Sequence, residues 1–366
     1  MIFRYILFLS LVGVALLKNC KKSVTTVNGK QNFCNGQLIF EDNFNSLDTK
    51  KWQPENTLSG GGNWEFEWYS PDKRNSYVQN GVLHIKPTLL ADEKGNDFLY
   101  KGTITIPANQ CTNAADYGCS RTGSANNILN PIKSARLRTI NSFSFKFGTL
   151  ETRAKTPAGD WLWPAIWLLP KAYKYGGWPR SGEIDLLESR GNKNLQNPSG
   201  LNIGTQQVAS TLHWGPDAKN NRFYKTHYEK NNANGYDTGF HLYKVVWTPN
   251  DMTFFVDNQQ IGKVVPPQGG FWQLGDLART GLKNPWTNSK MAPFDQEFHI
   301  LINLAVGGTT GYFPEGMRNP KPKPWKNGSP TAMKEFWEKR GDWLPTWNMK
   351  GDTSHLQVDY VKVWAL

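Results

Sequence analysis

The chain has 366 residues and carries 42 Lys and Arg against 30 Asp and Glu, a formal net charge of +12. Its basic residues are dispersed apart from Lys321-Pro-Lys-Pro-Trp-Lys326, which reads as a solvated loop, so the excess charge predicts no nucleic-acid groove. After the N-terminal segment, no stretch is long and apolar enough to span a bilayer.

Met1 to Leu17 has the pattern of a secretory signal, with Arg4 followed by a short apolar run, so residues 1–19 are expected to be removed and 20–366 to form one exported domain. Four cysteines in an exported chain suggest pairing. Three connectivities are open, and the short spacings favour Cys20 with Cys34 and Cys111 with Cys119; no nearby histidine or second CxxC completes a zinc set. Asn63-Trp64-Glu65 and Arg74-Asn75-Ser76-Tyr77 lie in a Gly-rich entry region. Beyond it, short runs such as Phe143 to Lys146, His241 to Trp247 and Phe298 to Val306 are bounded by Gly, Pro, Asn and Asp, which predicts strands and turns; helix-period patterns are scarce. Sixteen tryptophans exceed the needs of a core, and Trp163 and Trp167 fall on one face of a strand. Sugar rings present C–H faces to aromatic rings and hydroxyls to polar groups, so this mixture suits a carbohydrate cleft.

Three carboxylates crowd into Glu183-Ile-Asp185-Leu-Leu-Glu188. In a strand, Glu183 and Asp185 share one face while Ile184 and Leu186 turn into a core. Glu188 then needs one extra residue, most simply Leu187 as a β-bulge, to join them. A solvated charged face is the bland alternative, and the apolar Ile184, Leu186 and Leu187 argue against it. Four strand steps of about 3.3 Å separate the two glutamate backbones by roughly 13 Å, a gap two inward-leaning side chains close to the roughly 5 to 5.5 Å of a retaining glycosidase. Crowded acids also keep one group protonated, as a general acid requires.

Glu-Ile-Asp-Leu-Leu-Glu resembles the bulged Glu-x-Asp-x-x-Glu signature of glycoside hydrolase family 16, in its laminarinase (endo-β-1,3-glucanase) branch. The resemblance runs from about Cys20 to Leu366 and is strongest to the animal group of β-1,3-glucanases and β-1,3-glucan recognition proteins (Gram-negative-bacteria-binding proteins). Leu38 to Phe44, Ser134 to Thr139, Trp161 to Trp167, Thr211 to Trp214 and Asp359 to Trp364 recur in family order. The resemblance implies an all-β jelly-roll sandwich of two antiparallel sheets, one of them curved into a concave glycan-binding cleft. It assigns Glu183 as nucleophile, Glu188 as acid/base and Asp185 as the group tuning Glu183. It places Trp163 and Trp167 along the subsites, Trp178 ahead of the nucleophile, His213 beside the carboxylates, Asn303 on another floor strand, and Trp64 and Asn75 in loops over the cleft. Asp359 matches a calcium ligand of many bacterial relatives; no organic cofactor is implied. The expected partner is β-1,3-glucan, bound by a secreted monomer. Hydrolysis of laminarin-type glucan is the leading expectation because all three acids are kept; a glucan receptor of innate immunity with little or no turnover is the alternative.

Overall fold

The computed structural model describes residues 20–366; the expected signal segment lies outside them. Two large antiparallel sheets make up most of it, a jelly-roll β-sandwich. One has nine strands. Five of these carry the functional face: β1 (Arg136–Arg138), β2 (Leu162–Pro170), β3 (Glu183–Ser189), β4 (Gln207–His213) and β5 (Phe298–Val306), in the spatial order β1, β5, β2, β3, β4. The second sheet has eight strands and centres on Gly148–Lys155, flanked by His241–Trp247 and Leu356–Trp364.

Sequence alternation explains the layers. In Gly148–Lys155 every second residue is buried, so Leu150, Thr152 and Ala154 point to the core while Thr149, Glu151 and Arg153 look outward. The nine-stranded sheet answers with Ile166, Leu168, Ile184, Leu212, Ile300, Ile302 and Leu304, all buried in one apolar cluster. Trp247 of the eight-stranded sheet meets Phe298 and Phe145 of the other edge-on, with ring centroids 5.5 and 5.6 Å apart, which locates the core between the sheets. Strand β5 is buried along all nine residues because its inward face lies on this core and its other face lies under side chains of the site. An uncharged run such as Ile300 to Val306 therefore suits a central strand covered on both sides.

Both disulfides favoured by spacing are present, Cys20–Cys34 and Cys111–Cys119. The basic run 321–326 is less solvated than its composition suggests. Lys323 folds inward, donating to the Phe313 carbonyl, Glu315 and Asn327, with its ammonium 5.2 Å from the centroid of the Trp325 ring.

Candidate active site

The site is built on one irregularity. Strand β3 pairs with β2 through Ile184 to Leu168, Asp185 to Trp167, Leu187 to Ile166 and Glu188 to Ala165. Two residues, Leu186 and Leu187, thus stand opposite one, and the same shift recurs against β4, where Asp185 pairs with Thr211 and Glu188 with Ala209. This is the bulge the spacing requires, with one difference. The register pairs Leu187 and leaves Leu186 as the extra residue, because Ser210 sits opposite and its Oγ donates to the Leu186 carbonyl at 2.7 Å, satisfying the acceptor that the broken ladder frees. Both leucines stay in the core, at 1 and 0% exposure. Directly paired residues share a face. Glu183 lies beside His213, Asp185 beside Trp167 and Thr211, and Glu188 in a row with Ala165, Asn303 and Arg136.

Each glutamate holds an indole N–H. Trp178 Nε1 donates to Glu183 Oε2 at 2.8 Å and Trp163 Nε1 donates to Glu188 Oε1 at 3.0 Å. An indole can only donate, so each of these oxygens acts as the acceptor and any proton on the carboxyl sits on the other oxygen. Trp163 is itself clamped by Tyr312, whose ring lies parallel to it with centroids 3.7 Å apart. Trp167 donates to Asn303 Oδ1 at 2.6 Å, and Asn303 donates in turn to the Tyr69 hydroxyl. Tyr69 donates to Glu65 at 2.7 Å and accepts from Arg136, whose guanidinium lies over the rings of both Tyr69 and Trp167. One hydroxyl donor and two acceptor lone pairs are thereby used in full. Asn303 is 2% exposed, so its part is to hold Trp167 in place rather than to meet a ligand openly.

The electrostatics pull in opposing directions. Burial, and then the charge of Asp185, raise the Glu183 carboxyl well above the usual range; His213 and the Trp178 N–H work against that rise. Asp185 is also raised well above its usual range, first by burial and then by Glu188, and a hydrogen bond with Glu183 offsets part of it. The charge of Asp185 raises Glu183 while the hydrogen bond with Glu183 lowers Asp185, so these causes place a shared proton on Glu183 beside an ionised Asp185. His213 Nε2 is 3.3 Å from Asp185 Oδ2, yet poorly aligned, so this oxygen has no hydrogen-bond partner.

Asn221 settles which nitrogen of His213 carries the proton. Its Oδ1 accepts from the backbone N–H groups of Trp214 and Phe223, which fixes the amide and aims Nδ2 at His213 Nδ1, 2.9 Å away. Nδ1 must accept, so neutral His213 carries its proton on Nε2, facing Asp185. Glu183, Asp185 and His213 each offer an atom within 4.8 Å of the others, but a protonated Nε2 has no lone pair for a metal. The residues at Asp359 fit calcium poorly too. Arg153 Nη1 lies 2.6 Å from Asp359 Oδ2, a guanidinium where the cation would stand, and Asp359 joins no cluster of three metal-ligating side chains among the described residues.

The structure therefore brings together Glu183, Asp185, Glu188, Trp163, Trp167, Trp178, His213 and Asn303. Asn75 is a correction. It is fully buried and its amide donates to the Lys86 and Lys133 carbonyls and to Thr88 Oγ1, tying three segments together beneath the surface. Trp64 is 47% exposed but sits on a loop beyond Trp163. Trp161 turns inward onto Phe313 and Trp325. Sequence reasoning missed Tyr312, Asn221 and the Glu65–Tyr69–Arg136 group; Gly311-Tyr312-Phe313 after the Gly307-Gly308 turn was the one local hint of an aromatic poised at a strand end.

The sequence model for Glycosyl hydrolases family 16 matches residues 105–270. A β-1,3-glucan-binding protein of Penaeus monodon is 47% identical over 340 residues, which cover 90% of this chain and 90% of that protein. The chain belongs to glycosyl hydrolase family 16. Within the family, β-1,3-glucan-binding protein 1 of Galleria mellonella is 36% identical across 95% of this chain and 67% of its own length. The laminarinase from Rhodothermus marinus superposes with a TM-score of 0.57 at 25% identity, over 90% of this chain and 97% of that one. The endo-β-1,3-glucanase from Pyrococcus furiosus, at 23% identity and a TM-score of 0.55 over 94 and 98% of the two chains, shares the fold.

Proposed function

We propose that this family 16 protein binds β-1,3-glucan along the face of its nine-stranded sheet and hydrolyses internal linkages with retention of anomeric configuration. The observation that carries the reading is the Leu186 bulge, which sets Glu183, Asp185 and Glu188 on one face. Glu183 attacks the anomeric carbon. His213 and the Trp178 N–H favour its ionised form against the effects of burial and the neighbouring acids. Glu188, oriented by Trp163, protonates the leaving oxygen and then takes a proton from the water that releases the glycosyl-enzyme. The exposed Trp178 and the half-buried Trp167 offer aromatic surface to a glucan chain, while the buried Trp163 orients Glu188. The same reading makes the protein an exported one; no helix among the described residues is long and apolar enough to cross a membrane.

The printed names of the Penaeus and Galleria relatives favour a second reading, glucan recognition without turnover. Both readings predict binding to laminarin, and reducing-sugar release separates them. Under the first, wild-type protein releases sugar while Glu183→Gln and Glu188→Gln each abolish release with an unchanged circular dichroism spectrum. Binding with no release by wild-type protein would establish the second reading, and substantial release by both variants would sink the assignment of the acids.

A further inference from the structure

A cavity of about 850 Å³ lies outside the carboxylate face, lined among others by Trp64, Tyr117, Asn126, Asn127, Thr309 and Thr331. That volume is in the range of small-molecule sites. None of these residues belongs to the strands that carry the three acids. The wall between the two regions is one loop pair. Asn63 accepts from the Thr309 backbone N–H at 2.9 Å, and a Cβ built on the adjacent Gly308 would come within 3.8 Å of the Trp163 ring. The loop that lines the cavity through Thr309 thus passes, one residue earlier, beside the ring that holds Glu188.

Its walls have a definite chemistry. Two large aromatics open onto it, Trp64 at 47% exposure and Tyr117 at 73%. Both stand on left-handed backbone, with φ of 51° and 62°, which bulky side chains rarely adopt and which persists where surrounding structure enforces it. Around Tyr117 the enforcement is visible. The Cys111–Cys119 disulfide closes the loop, Arg121 donates to the Asp116 carbonyl, and Gly118 approaches the Asn113 carbonyl so closely that a Cβ would stand 2.2 Å from it. The side-chain amides of Asn126 and Asn127 make no hydrogen bonds among the described residues, leaving donors and acceptors for a ligand. No carboxylate lines the cavity, which disfavours a cation. Arg121 is engaged with Asn130 and Asp116, and Lys334 stands 3.5 Å from Glu338, which disfavours a strong anion. Exposed aromatic rings with unpaired amides and hydroxyls suit a neutral polyhydroxylated chain.

Resting on the glucan reading above, we propose that this cavity is an accessory saccharide site that takes a distal stretch of the same β-linked glucose polymer, beyond the part held over the acids. It extends the bound length past Trp163 and leaves short ligands unaffected. Affinities are measured for a ladder of β-1,3-linked glucose oligomers and for laminarin, in a Glu188→Gln background that prevents turnover, with and without Tyr117→Ala or Asn127→Ala. The account expects the curves to superpose for short oligomers and to part for long ones, each variant weakening long chains by about two- to tenfold, the worth of one stacked or bonded sugar contact. Both residues are on the surface, and an unchanged affinity for short oligomers shows that the variant is folded. Superposition along the whole ladder, or equal weakening at every length, would overturn the accessory site while leaving the cleft reading intact. Failure of every oligomer and of laminarin to bind the parent protein would instead overturn the glucan reading itself.

Discussion

Replacing Trp178 with Phe keeps an aromatic ring ahead of Glu183 and removes only its donor. The indole N–H reaches Glu183 Oε2 at 2.8 Å, and it is one of the two groups that oppose the rise in the Glu183 pKa. A hydrogen bond to a charged group contributes about 1.5–3 kcal/mol, and the low end applies here because Trp178 is 44% exposed and water competes for the carboxylate. About 1.5 kcal/mol corresponds to roughly a tenfold loss of kcat/KM for laminarin near neutral pH. The loss should depend on pH. Without the donor the Glu183 pKa rises further, so the acid limb of the kcat/KM profile moves to higher pH and the deficit shrinks as pH is raised. The assay is initial reducing-sugar release across the pH range for wild type and variant. A loss that is equal at every pH would show that Trp178 serves only as a stacking surface and would refute the electrostatic argument.

The same pKa directions predict a stability change. Because the folded state raises the pKa of Glu183, it holds that proton more tightly than the unfolded chain does; the stability so gained is full below the unfolded carboxylate pKa and is lost as pH rises through the folded value. Glu183→Gln should therefore melt higher than wild type at neutral pH, by roughly 2 °C per kcal/mol relieved, and the difference should vanish on acidification; a lower melting temperature at both pH values would contradict the shift. Asn221→Asp keeps the oxygen that accepts from Trp214 and Phe223 but removes the donor to His213. Imidazole nitrogen NMR should show the proton on Nε2 in wild type and on Nδ1 in the variant, and a wild-type Nδ1 proton would refute the tautomer assignment. Since Arg153 occupies the Asp359 carboxylate, exhaustive treatment with a chelator should leave the melting temperature unchanged, and a fall of several degrees would restore a structural cation.

Much of this was legible along the chain because it is local. The alternation in Glu-Ile-Asp-Leu-Leu-Glu demands a bulge before all three acids can share a face, and two short cysteine spacings gave both bridges. What escaped depends on partners distant in sequence. Whether Leu186 or Leu187 is the extra residue is decided by Ser210 on the neighbouring strand. Asn75 reads as a loop residue next to charged neighbours, yet carbonyls of Lys86 and Lys133 converge on its amide only once the chain is folded. Tyr312 meets Trp163 from well over a hundred residues away, and Asn221 takes its meaning from a histidine it faces across a turn. Asp359 shows how a position matched in sequence takes its meaning from a distant partner, here Arg153.

The central claim is that Glu183 and Glu188 flank one glycosidic bond from one face, too close for an intervening water. Proton NMR of laminarin hydrolysis in its first moments, before mutarotation, tests it most directly. The account predicts that the new reducing ends appear first as the β-anomer and equilibrate afterwards. An initial α-anomer would mean inversion, with carboxyls about 6.5 to 9.5 Å apart, and would contradict both the covalent mechanism and the placement of the acids on which it rests.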